Sequence, residues 1–228
     1  MTIIENYHAV REKAAAAAVK SGREPESVRI VAVSKTFPAP IVQEAIDQGI
    51  LLLGENKIQE AKNKIPLLTG EAAFHMIGHL QSNKAREAVE LFDLIHSIDK
   101  QSTADKINRE AEKIDKIQKI LIQVNTSGET AKSGVAPDQL TDLVREVLTL
   151  KNIRLEGFMT MAPFTTDEKP VRHAFSETRR LMAETNETFG ISLKELSMGM
   201  SGDFEKAIEE GATLIRVGSL IFGERTYI

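Results

Sequence analysis

The sequence predicts an α/β fold, a single (β/α)8 TIM barrel with an extra N-terminal helix, spanning residues 1–228 as one domain. Three observations predict it. Short β-rich apolar runs alternate with longer helical stretches, the pair recurs eight times, and no low-complexity linker interrupts the chain.

The elements follow in order. Residues 3–20 are Ala-rich, with Glu and Lys between apolar positions, and predict a helix lying on a barrel end, closed by Gly22 and Pro25. Residues 28–33 read as a strand covered on both faces, because Ile30, Val31, Ala32 and Val33 form a continuous apolar run. A helix over 40–48 follows. The unit then repeats with strand-like 50–53, helical 58–64, strand-like 74–77 and a mostly helical 80–91. Residues 94–98 supply a fourth strand, before a charged helix around 102–114. Strands five and six are 120–124 and 155–159, separated by a helix over 137–148. The long amphipathic stretch 171–189 precedes a short segment at Leu196 and Ser197, a helix over 203–210 and a last strand over 214–217. Repeated βα units imply a parallel sheet, and eight of them favour closure over an open doubly wound sheet. The open sheet stays the alternative because the seventh strand is faint.

Composition narrows the function. Twenty-nine basic against thirty-three acidic side chains give a net charge of −4, interspersed along the chain, which argues against a nucleic-acid surface. No cysteine is present, so a thiolate nucleophile and a Cys-based zinc site are excluded. The first residues lack a basic region followed by an apolar stretch, and no run approaches the ~20 apolar residues of a membrane span, so a cytoplasmic protein is expected.

In a barrel the chemistry gathers where strands end, at the C-terminal face. Lys35 follows the first strand and Ser34; partial desolvation there favours the neutral amine that attacks a carbonyl carbon, although position alone favours an ion-paired or snorkelling lysine. Gly54-Glu55-Asn56 follows the second strand, Gly54 permitting a tight exit and Asn56 either facing the mouth or capping the next helix. Met198-Gly199-Met200-Ser201-Gly202-Asp203 leads into a helix, whose exposed amides and Ser201 hydroxyl suit an anion, with an N-cap by Ser201 or Asp203 as the bland reading. Arg216-Val217-Gly218-Ser219 ends the eighth strand, where Gly218 lets the backbone approach a ligand. Barrel phosphate sites commonly use the loops after strands seven and eight, so a phosphorylated ligand is favoured.

These motifs, together with Val31-Ala32-Val33-Ser34-Lys35 and the run from His75 to Lys84, resemble the pyridoxal phosphate homeostasis proteins along essentially the whole chain. The resemblance implies a fold-type III pyridoxal phosphate barrel, related to the N-terminal domain of alanine racemase, with the cofactor held as a Schiff base on Lys35. By the same carry-over Ser201, Gly202, Gly218 and Ser219 contact the phosphate, Asn56 lies beside the ring and Arg216 meets the pyridine nitrogen. An arginine there stays cationic, which leaves that nitrogen unprotonated and weakens the electron sink.

Racemases of this fold carry a second, β-rich domain with a tyrosine acid. Here the sequence ends shortly after Arg216, Tyr7 and Tyr227 are poorly placed for that acid, and Thr36-Phe37-Pro38-Ala39 lacks the phosphate-binding tyrosine that follows the racemase lysine. The implied role is to bind, carry or buffer pyridoxal 5′-phosphate without a dedicated reaction, as a monomer in transient contact with enzymes that require it. The alternative is an enzyme, either a weak amino-acid racemase or an aldolase-like catalyst using Lys35 on a sugar phosphate. His75 and His79 are four apart but lack the glutamate of a zinc-protease helix, and they read as core or loop residues with no metal role. Lys132, in the loop after the fifth strand, reads as a solvated lysine or a second rim amine.

Overall fold

The computed structural model describes residues 1–129 and 133–223. Eight parallel strands, β1 (Arg29–Val33), β2 (Leu52–Glu55), β3 (Ala73–Met76), β4 (Leu94–Ile98), β5 (Gln118–Gln123), β6 (Ile153–Met159), β7 (Glu195–Ser197) and β8 (Leu214–Val217), close into a barrel in sequence order. β8 returns to β1 through the pairs Arg29↔Leu214 to Ala32↔Val217, so the open-sheet alternative is excluded.

The helices are α1 (Ile3–Lys20), α2 (Ala39–Asp47), α3 (Ile58–Lys64), α4 (Ala85–Leu91), α5 (Gln101–Glu112), α6 (Leu140–Leu148), α7 (Glu168–Phe189), α8 (Phe204–Glu209) and α9 (Ser219–Phe222). The first opens with a capping box, in which Thr2 and Glu5 satisfy each other's backbone N–H groups. It packs against α8 and α9, where Asn6 Nδ2 donates to the Ile221 carbonyl, Lys20 pairs with Glu209 and Arg23 donates to the Ile208 carbonyl. None of the described helices is long and apolar enough to cross a membrane.

Most boundaries moved by one to three residues, and two of the shifts have causes that the pattern hides. Ile50 and Leu51, apolar enough to read as strand, form the exit from α2: the Ile50 N–H donates to the Ala45 carbonyl at 3.0 Å across Gly49, whose φ is +86°. The segment 80–91 is a 3-10 turn, Ser82–Lys84, before α4. The four-residue α9 was not expected.

Strand side chains alternate between two faces. Ile30, Ala32, Ile215 and Val217 join the large core that the helices cover, whereas Val31, Leu94, Leu121, Met159 and Leu214 form a smaller cluster inside the barrel. Two-residue steps from that cluster run from Leu94 to His96 and from Leu214 to Arg216, which puts both polar side chains on the interior face.

Candidate functional site

Strand closure sets β7, β8, β1 and β2 side by side, so the ends read as informative form one continuous arc of the C-terminal rim. Lys35, half-buried, stands two residues past Val33, and Asn56, half-buried, two residues past Gly54, its register partner on β2. Gly218 packs onto the end of β1: a Cβ there would lie 3.2 Å from the Val33 carbonyl oxygen. The loops after β7 and β8 meet where the Ser219 hydroxyl donates to Ser201 Oγ at 3.2 Å. Gly202 is exposed with open space on its side-chain face. The rim therefore offers a primary amine, two converging hydroxyls and an amide within one arc.

The structure adds to or changes the reading of several of these residues. Gly218 has φ −116°, and its lack of a side chain also serves the close approach of β8 to the end of β1. Gly54 lies inside β2, where a Cβ would sit 2.8 Å from Val31 Cγ1, so it admits a neighbouring strand's side chain instead of shaping an exit. Asn56 does not cap α3, whose N-cap is Lys57. At α8 the N-cap is Asp203, and its carboxylate accepts from the Met200 N–H at 2.6 Å without capping the helix.

Arg216 is 4% exposed, and burial pulls its pKa down to about 10, which leaves it cationic at neutral pH. Its Nη1 donates to Ser197 Oγ at 2.6 Å and its Nη2 to the Thr160 carbonyl at 2.9 Å. Ser197 Oγ lies 2.8 Å from His96 Nδ1, and His96 Nε2 lies 3.0 Å from His75 Nδ1. Burial first, then Arg29 and Lys119, hold His75 neutral with a pKa of about 3, and burial first, then His75, Arg216 and Arg29, hold His96 neutral. Since arginine only donates, the serine hydroxyl donates onward to His96 Nδ1, and His96 Nε2–H donates to His75 Nδ1. His75 is thus a buried partner in a chain ending on Arg216, whereas His79 sits in a loop 3.9 Å from Asp99. Among the described residues no group of three His, Asp or Glu side chains is gathered for a metal.

Sequence reasoning missed a second polar cluster, beneath Lys35. Lys64, 5% exposed, donates to the carbonyls of Ser34 (2.9 Å) and Phe37 (3.1 Å) and pairs with Glu55 and Glu60, each at 2.8 Å. The Ser34 hydroxyl donates to Glu55 Oε1 at 2.6 Å. Burial is the largest influence on Glu55 and raises its pKa, against the opposing pull of Lys64. Lys64 lies four residues after Glu60 on a helix, a spacing that reads as a surface ion pair, so its burial left no signal in the sequence. Lys132 and Tyr227 lie outside the described residues.

The family model described as alanine racemase, N-terminal domain, matches residues 4–226. The pyridoxal phosphate homeostasis protein of Aquifex aeolicus (strain VF5) is 39% identical over 228 residues, covering 100% of both chains. PipY of Synechococcus elongatus PCC7942, solved with PLP bound, superimposes with a TM-score of 0.86 at 35% identity, covering 97% of this chain and 100% of that one. Alanine racemase of Clostridium difficile 630 shares the fold with a TM-score of 0.73 at 14% identity, over 89% of this chain and 53% of the racemase.

Proposed function

Because the chain belongs to the pyridoxal phosphate homeostasis proteins and carries the alanine racemase N-terminal domain, we propose that it binds pyridoxal 5′-phosphate as a Schiff base on Lys35 and takes part in the cofactor's homeostasis without a dedicated reaction. The observation that carries this reading is the donor set on one arc of the rim. Lys35 supplies the primary amine an aldehyde requires. The Ser201 and Ser219 hydroxyls, 3.2 Å apart, with the exposed Gly202 and the Gly218 turn, suit a dianionic phosphate. When bound, the group supplies an aldehyde for the amine and a pyridine ring as electron sink. Arg216, held by Ser197 and Thr160, is the residue for the ring nitrogen; it donates hydrogen bonds and accepts none, so it keeps a proton off that atom. Asn56, just past the end of β2, is the residue that would lie beside the ring. In the same reading the protein acts as a monomer and hands the group to enzymes that require it through transient contacts.

The test is the bound spectrum. Purified protein is expected to show an imine absorbance that borohydride fixes to Lys35, and Lys35→Ala to lose it while remaining folded, because a half-buried rim amine contributes little to packing. The parent should interconvert alanine enantiomers no faster than free pyridoxal phosphate. An undiminished imine band in the folded variant removes Lys35 from the site, and sustained racemisation that disappears with Lys35 makes the protein an enzyme.

A further inference from the structure

The turn that carries Lys35 has an anchor of its own. Thr36, the next residue, has φ +71°, a conformation that β-branched residues rarely adopt. Its N–H donates to Glu60 Oε1 at 2.5 Å, and the Phe37 N–H closes the turn onto the Ser34 carbonyl at 3.2 Å. The Lys64 ammonium grips the carbonyls of Ser34 and Phe37, one on each side of Lys35, and is itself held by Glu55 from β2 and Glu60 from α3. Four oxygens stand within 2.8–3.1 Å of a group with three hydrogens.

We propose that Lys64 is the positioning residue for Lys35: its buried ammonium clamps the turn on both sides of Lys35 and holds Thr36 in the left-handed conformation, fixing the backbone from which the reactive amine extends. A buried charge is costly unless it is fully paired, and packing alone at this site is met by a leucine or methionine. The ammonium bonds instead to the backbone of one turn. Its two carboxylates come from separate elements, so the turn is referenced to β2 and α3 together. Reaction of an amine with a bound carbonyl depends steeply on placement, and a turn free to leave the left-handed region would displace the lysine. The inference rests on the reading that Lys35 carries pyridoxal phosphate.

The experiment separates the covalent step from binding. Ligand-free protein is mixed with pyridoxal 5′-phosphate and imine absorbance is followed in time, with borohydride trapping and peptide mapping. Affinity for pyridoxine 5′-phosphate, which keeps ring and phosphate but has no aldehyde, is measured in parallel. Lys64→Met should slow imine formation by about ten- to a hundredfold and leave pyridoxine 5′-phosphate affinity within about twofold of the parent, well under one decade. Thr36→Gly in the Lys64→Met background should restore part of the rate, because glycine adopts the left-handed conformation without restraint. If Lys64→Met does not fold, Glu60→Gln, which weakens the grip on Thr36 and Lys64, should slow the reaction by a smaller factor with the same unchanged binding. Parental rates in a folded Lys64→Met protein, or equal losses of rate and of pyridoxine 5′-phosphate affinity, would overturn the proposal. Absence of any adduct at Lys35 in the parent would instead overturn the reading beneath it.

Discussion

In the proposed function, two serines and an arginine divide the work of recognition at the rim. Ser201 and Ser219 are hydroxyls on different loops brought to 3.2 Å, a spacing that would let both donate to one phosphate in that proposed site. Ser201→Ala removes one hydrogen bond to a charged acceptor, about 1.5 to 3 kcal/mol, so affinity for pyridoxal 5′-phosphate should fall by about one to two decades. Titration of the parent and variant with pyridoxal, which lacks the phosphate, supplies the control: its affinity should not change, and an equal loss for both ligands would place the serine elsewhere. Arg216 works differently, since its charge is buried and its direction is set by Ser197 and Thr160. Lys35 and Arg216 were legible as candidates because the first closely follows the apolar run of β1 and the second lies within the last strand, and Ser201 because it stands in a Gly-containing turn before a helix. Ser197, His96 and Lys64 were not, because a buried polar residue looks the same in sequence as an exposed one until its partners, up to 101 positions away, are brought to it.

The faint seventh strand becomes intelligible at the level of elements. β7 has three residues, and the neighbouring β6 changes register between Ile120/Leu155 and Leu121/Gly157 in its pairing with β5. Gly157 is also paired with Glu195, and a Cβ on it would overlap the Glu195 carbonyl and lie 2.7 Å from its carbonyl carbon and 2.9 Å from its nitrogen. The glycine thus lets β7 approach β6 closely at its first residue, which is where the short strand acquires its register. Gly157→Ala should force the two strands apart and cost about 3 kcal/mol, the upper part of the overpacking range. Thermal denaturation should then show a midpoint lower by roughly 6–12 °C for a chain of this size. A midpoint within a degree or two of the parent would mean that β6 tolerates a side chain and that register is set elsewhere.

For the whole molecule, the neutral histidines inside the barrel couple stability to pH. The unfolded chain takes up a proton on His75 near 6.5, whereas the folded chain does so only at about 3. Between those values the unfolded state binds more protons, so the stability that neutral His75 confers is complete above 6.5 and is lost as pH falls toward 3. The slope is about 1.4 kcal/mol per pH unit for this one group. His96, also held neutral by burial and by the neighbouring cations, adds loss of the same sign. Urea denaturation at several pH values should show the parent weakening through this window, and His75→Asn should reduce the slope by about 1.4 kcal/mol per unit. An unchanged slope in the variant would mean that His75 is protonated in the folded barrel.

Local order decided the barrel class. Eight apolar runs alternate with helical stretches, and helix 3–20 and strands 94–98 and 214–217 were read with the bounds they have in the structure, because periodicity and caps are properties of neighbouring residues. The pairing of β8 with β1 was decided only by tertiary structure, as was the convergence of the Ser201 and Ser219 loops. So were the polar chain from Arg216 to His75 and the grip of Lys64 on the Lys35 turn. The physical reason is common to all four. Each is a contact between residues distant in the chain, whose energy depends on burial and direction, and neither quantity exists until the sheet has closed.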